Sequence, residues 1–294
     1  MEALENLRIA IALTLAVLLL VPVQTSRAAG PPAKPQRIVS LNLCTDQLLV
    51  DLVPRQRIAA VSHLAADPTV SAVDAKAAGI PTTRGEAESV LAFDPDLVLA
   101  GAFSTPATVS ILQRVGRRVV RIGLANDLDA IRRITRTVAE AVGEPERGEA
   151  LLATMDRRIT ANPAKIASPL RPTALVYQVN GLSAGRGTLA DTLLQLAGLT
   201  NRATTIGLGP AGRVDLETLV AHPPDLVILT GPKDEYRTAV AENLRHPALS
   251  RVIAQHAGVT VPWRTWLCGT PHIADAVERL AAARARLTTP KAQP

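Results

Sequence analysis

Short unbroken apolar runs alternate along the chain with longer stretches whose apolar residues recur every third or fourth position, a pattern that predicts strands feeding amphipathic helices. The first run, RIVSL at residues 37–41, is followed by TDQLLVDL, in which Leu48, Leu49 and Leu52 share one helix face. TALVYQV at residues 173–179 opens the same unit again, and after the turn-rich GLSAGRGT the helix is LADTLLQLAG. Asp46, Leu48 and Leu49 correspond to Asp191, Leu193 and Leu194 at an offset of 145 residues. A second correspondence holds at an offset of 129, pairing Arg84, Glu88, Pro95, Asp96, Leu97 and Val98 with Arg213, Glu217, Pro224, Asp225, Leu226 and Val227. In both copies a short helix carrying the glutamate ends at Pro-Asp and runs into an apolar strand, DLVLAG or DLVILTG. Six positions in one context of helix and strand indicate an internal duplication.

Strands that alternate with helices in both halves predict an α/β fold, with two Rossmann-like lobes built on mainly parallel sheets. Between the halves the pattern turns helical: residues 126–142 carry Leu128, Ile131, Thr135, Val138 and Val142 on one side, and residues 146–160 carry Leu151, Leu152, Met155 and Ile159. The expected division is an N-terminal lobe at 37–125, a helical connector at 126–168 and a C-terminal lobe at 169–294. A single long connecting helix joins the lobes in this reading, and its stiffness permits only small rocking. At roughly 150 residues per domain, the length of 294 agrees with two cores.

Residues 9–23 form an uncharged apolar stretch interrupted at Pro22, shorter than the ~18 to 20 residues that span a bilayer. Ser26 and Ala28 put small residues three and one positions before a cleavage point after Ala28. Residues 1–28 therefore read as a signal peptide and 29–36, AGPPAKPQ, as a flexible leader. No cysteine follows the apolar stretch to carry a lipid, so release into an oxidising compartment is expected.

Composition narrows the partners. Phe, Tyr and Trp occur twice each, too few for stacked platforms that hold nucleic acid or sugar. The net charge of +6 is spread along the chain without a run of five like charges, which speaks against a nucleic-acid patch while favouring anionic ligands.

Together with the closing VPWRTWLCGTPHIADAVERLA at 261–281, the signal peptide, RIVSLNLCTDQLL, the paired PDLV strands and the helical connector resemble the periplasmic solute-binding proteins of iron-chelate and cobalamin ABC importers. The resemblance covers nearly all of residues 37–287. It implies a periplasmic, helix-linked, two-lobed binding protein, not an enzyme, that holds one metal chelate between its lobes and delivers it to permease subunits in the inner membrane. A ferric siderophore is the first expectation, with haem or cobalamin as alternatives. The resemblance further implies a monomer without a cofactor of its own, the metal arriving inside the chelate. Matching surface glutamates dock the permease in this family, a role that falls by position to Glu88 and Glu217.

In open α/β sheets, ligands bind beyond the carboxyl ends of the strands. The candidate loops are 42–45, 62–64, 83–85 and 101–104 in the first lobe, and 180–187, 209–213, 231–233 and 263–270 in the second. Arg84, Arg186, Arg213 and Arg264 fall on them, and guanidinium forks suit carboxylate, catecholate or phosphate oxygens. Phe103, Tyr177, Trp263 and Trp266 could cover a bulky chelate, and Asn42, Cys44 and His63 complete the candidate ligand set.

Three features point elsewhere. Gly181-Leu182-Ser183-Ala184-Gly185 fits G-x-S-x-G, which, with Asp225 and His272 downstream, raises a serine esterase using Ser183. Against it, Asp225 begins its strand and the following helix starts near Thr188, late for a tight elbow. His63, His222, His246, His256 and His272 raise free transition-metal binding, although no pair has the close helical spacing of a zinc motif. Cys44 and Cys268 are the only cysteines, and the sequence leaves open a bridge between lobes, two separate thiols, or a thiolate pair on a ligand's metal.

Overall fold

The first apolar run becomes β1 (Ile38–Ser40), wholly buried, and Asn42 caps the helix that follows it. The computed structural model describes residues 34–161, 171–231 and 241–288. The expected signal peptide and residues 29–33 of the leader lie outside the described residues, as do 162–168 of the connector and parts of the second lobe. Among the described residues no helix is long and apolar enough to cross a membrane.

The first lobe continues through α1 (Leu43–Leu52), β2 (Ile58–Ser62), α2 (Asp74–Ala77), β3 (Thr82–Thr83), α3 (Ala87–Leu91), β4 (Leu97–Ala100), α4 (Pro106–Arg114) and β5 (Val119–Arg121). Its five strands pair in parallel in the order β3-β2-β1-β4-β5. After α5 (Leu128–Val142) and α6 (Pro145–Thr160), the second lobe runs through β6 (Thr173–Val176), β7 (Leu182–Ser183), α7 (Leu189–Leu196), β8 (Thr200–Asn201), α8 (Arg202–Thr205), β9 (Gly212–Arg213), α9 (Leu216–Ala221) and β10 (Leu226–Leu229). It closes with α10 (Glu242–Arg245), α11 (Pro247–Gln255), β11 (Gly258–Thr260) and α12 (Ile273–Thr288). The parallel order there is β11-β10-β6-β8, which superposes in sequence on β5-β4-β1-β2.

The duplication has matching physical jobs in the two copies. Asp46, on the first turn of α1, accepts from the backbone N–H of Ser62 at 3.1 Å and from its hydroxyl, tying the helix to β2. Asp191, on the first turn of α7, accepts from the Asn201 side-chain amide at 3.1 Å and so ties its helix to β8. Asp96 accepts from the N–H groups of Gln36 and Arg37 at 2.6 and 3.0 Å, just before β1. Asp225 accepts from Thr173 N–H and Oγ1 at 2.7 and 2.8 Å, at the start of β6. One carboxylate in each copy therefore sets where the central strand begins. The copies part at β9, which pairs antiparallel with β7, whereas β3 joins the main sheet of its lobe. The second copy is the shorter between its matched segments, and its third strand pairs with the nearby hairpin instead.

The connector differs from the single long helix expected. Gly143, at φ 75°, closes α5 in the left-handed region, and Pro145 opens α6, so the chain reverses within two residues. Ala130 and Ile131 of α5 enter the core of the second lobe, while Val138, Ala139, Ala141 and Val142 enter that of the first. Leu152, Met155 and Ile159 carry α6 back into the second core. Two antiparallel helices thus join the lobes, α6 reaching the first core as well through Leu151.

Candidate functional site

The loops beyond β1, β4 and β5 converge with residues 266–269 on a pocket that is open to solvent. The first lobe lines it with Asn42, Cys44, Gly101, Ala102, Phe103 and residues 122–126, the connector with Ile134, and the second lobe with Leu189, Trp266, Leu267 and Gly269. Local chemistry shapes its floor. The Asn42 side chain accepts from Cys44 N–H at 3.0 Å, capping α1, and it packs so near Gly101 that a Cβ there would lie 2.5 Å from Asn42 Cγ. Phe103 is 80% exposed and Leu124 60%, so the rim offers apolar surface to a ligand. Trp266 is only 6% exposed, and its indole N–H is buried without a partner.

The lobes are joined across this pocket. Cys44 and Cys268 form a disulfide with a Cα–Cα distance of 5.3 Å. Thr270 Oγ1 donates to Gln47 Oε1 at 2.9 Å, and His272 Nε2 lies 2.8 Å from Asp51 Oδ2. Lys76 reaches Asp51 as well, at 2.6 Å. Burial pushes the Asp51 carboxyl up, but its bonds to His272 and Lys76 outweigh that and hold it below the ordinary value. Gly269 sits against the backbone of Ala125, where an added Cβ would fall 2.1 Å from the carbonyl oxygen.

Of the residues singled out from the sequence, Asn42, Cys44, Phe103 and Trp266 line the pocket. Trp263 is not in the lining but stands edge-on to Trp266, ring centroids 6.2 Å apart and planes at 68°. Tyr177 is a correction: at 1% exposure it belongs to the second lobe's core beside Leu175, Val214, Leu219 and Val227, and offers no surface to a ligand. The four arginines do not gather at the pocket. Arg264 turns to Asp74 at 3.5 Å. Arg213 meets Asn180, whose amide oxygen, turned toward the guanidinium, accepts from both terminal nitrogens at 3.0 and 2.7 Å. Arg84 is exposed, like His63, and Arg186 borders a separate polar pocket with Arg171, Gln195 and Thr200. Of the loop expected at 231–233, residues 232 and 233 lie outside the described residues.

The 122–126 loop was not among the candidates. The signal for it is the end of the apolar run VVRI, which the connector helix follows so closely that the sequence shows no separate loop. Glu88 and Glu217 are exposed on the first turns of α3 and α9, at equivalent places in the two copies.

The arrangement does not assemble a serine hydrolase. Ser183 is buried in the β7–β9 ribbon, Asp225 is engaged by Thr173, and His272 faces Asp51 in the other lobe. Among the described residues no group of three or more His, Cys, Asp or Glu side chains could hold a metal ion.

Comparison with known proteins bears on the fold and the family. Residues 38–258 match the family described as periplasmic binding protein. A protein of Halobacterium salinarum named cobalamin-binding protein is 27% identical over 231 residues, covering 77% of this chain, while the chain spans 62% of that relative's length. The periplasmic heme-binding protein RhuT from Roseiflexus sp. RS-1 has the same fold, with a TM-score of 0.71 and 24% identity over 86% of this chain and 99% of that one. The periplasmic vitamin B12 binding protein BtuF of Vibrio cholerae superposes with a TM-score of 0.67 and 17% identity, over 87% and 99% of the two chains. Matched over most of its length by the family's pattern, the chain belongs to the periplasmic binding protein family.

Proposed function

We propose that this protein is the periplasmic solute-binding component of an ABC importer, exported by a cleaved signal peptide, which captures a metal chelate and passes it to the permease without chemistry. The observation that carries this reading is the pocket bounded by both lobes at the carboxyl ends of the first lobe's strands, with an apolar rim. Its lining also bears on the chelate. Among the described lining residues none is charged, so an acidic ferric siderophore would meet no counter-charge there. None is a free His, Tyr, Met or thiol, the groups that ligate haem iron, because Cys44 is held in the disulfide. A metal already saturated by its own chelator, inside a large and weakly charged ring fringed with amides, suits these uncharged walls. That description fits a corrinoid, ahead of the siderophore that the loop arginines suggested, and accords with the name of the Halobacterium salinarum relative. Glu88 and Glu217 are the proposed docking carboxylates toward basic side chains of the permease.

Calorimetric titration of the exported chain with cobalamin, haemin and a ferric siderophore tests this. Cobalamin is expected to bind, and Leu124→Asp to weaken it at least tenfold by placing a charge on the rim, about 1.4 kcal/mol or more. Tighter binding of the siderophore, or affinity for cobalamin untouched by Leu124→Asp, would refute the assignment.

A further inference from the structure

One face of α1 reaches the other lobe on three successive turns. Cys44, Gln47 and Asp51, three and four residues apart, meet Cys268, Thr270 and His272, which are alternate residues of the facing segment. The facing segment is a series of tight turns, Thr270 N–H bonding to the Cys268 carbonyl at 2.9 Å and Ile273 N–H to that of Thr270 at 3.0 Å, so its contact residues are held in place locally. This seam and the pocket wall are one piece of chain. Cys44 lies both in the seam and in the lining, and Trp266, Leu267 and Gly269 line the pocket immediately beside Cys268. Nothing in the seam other than Cys44 lines the pocket, so its remaining side chains can act on a ligand only through where they hold that wall.

We propose that Cys44–Cys268, Gln47–Thr270 and Asp51–His272 are positioning pairs for the chelate: they fix the 266–269 wall against the first lobe, so that the pocket stands ready at its binding width in the oxidised protein. This rests on the reading that the pocket holds the ligand. A wall released from the seam must be ordered again at each binding event, which lowers affinity without removing a ligand contact. Reduction by a dithiol delivers two electrons and two protons to the Cys44 and Cys268 sulfurs, giving two thiols as the dithiol closes into its own disulfide.

The test compares cobalamin binding and dissociation rate in the oxidised wild type, the wild type treated with dithiothreitol, the Cys44→Ser, Cys268→Ser double variant, and an oxidised Gln47→Ala variant, each checked for folding by circular dichroism. Dissociation is expected to speed up about tenfold on opening the disulfide and about threefold in Gln47→Ala. If the double variant does not fold, Gln47→Ala, which keeps the covalent link and touches no ligand, decides the matter. A lowered melting temperature with unchanged affinity and dissociation rate overturns the inference and leaves a purely structural seam. Failure of the oxidised wild type to bind any of the chelates overturns the pocket reading and this inference with it.

Discussion

Asp46 offers the sharpest quantitative check on the core. It is fully buried at the first turn of α1, and burial carries its carboxyl from 3.8 up to about 7, against the lowering effect of hydrogen bonds from Ser40 and Ser62. A folded value above the unfolded one means that the group's contribution is complete below 3.8 and is lost as pH rises through about 7. Ionised in the fold, it costs about 4 kcal/mol. Asp46→Asn keeps an acceptor for the Ser62 N–H and replaces the charge with a donor, so it escapes that cost. The stability difference between the variant and the wild type is therefore expected to shift in the variant's favour by about 3 kcal/mol between pH 5 and pH 8, and to level off above that. Urea denaturation of both proteins, with the disulfide intact, across pH 5 to 9 measures this. A difference independent of pH, or one that moves toward the wild type as pH rises, would refute the assignment of a neutral buried carboxyl.

Other consequences concern stability. The Cys44–Cys268 bridge closes a loop across a sequence separation of 224, so opening it should lower the unfolding free energy by up to about 5 kcal/mol, read as a drop in urea midpoint with and without reductant. Thr188→Ala removes the cap that accepts from Asp191 N–H at 3.2 Å and should cost about 1 kcal/mol in the same assay. Asp225→Ala frees the start of β6 and should cost about 1–2 kcal/mol, with a similar loss for Asp96→Ala in the other copy; a clear inequality would argue against equivalent roles. Gly269→Ala, forced into the Ala125 carbonyl, should destabilise by about 1–3 kcal/mol in thermal denaturation, more than Gly123→Ala, where a Cβ meets nothing within 4 Å.

Much of the fold was legible because it is written in local periodicity and written twice. The PDLV strands, the Asp46 and Asp191 helices and the Thr188 helix start all rest on short-range patterns that the structure repeats. The connector is legible as two helical stretches, 126–142 and 146–160, but whether the break between them bends a helix or reverses the chain depends on which cores its two halves enter. The pocket was half legible. Strand ends pointed to Asn42, Cys44, Phe103 and Trp266, since topology alone places them. Charge marks the arginines in the sequence, but a long side chain on a loop goes to its nearest partner, as Arg264 does to Asp74 and Arg213 to Asn180. The aromatic ring marks Tyr177 in the same way, but apolar neighbours draw it into the core.

The placement of the two sulfurs also bears on how the molecule is made. Cys44 leaves the ribosome long before Cys268, and nothing else in the chain can form a sulfur–sulfur bond with it in the meantime. With a single possible intramolecular pairing, no scrambled isomer of the monomer exists to be sorted out. Closure marks a nascent chain whose two halves have both been produced and have found each other.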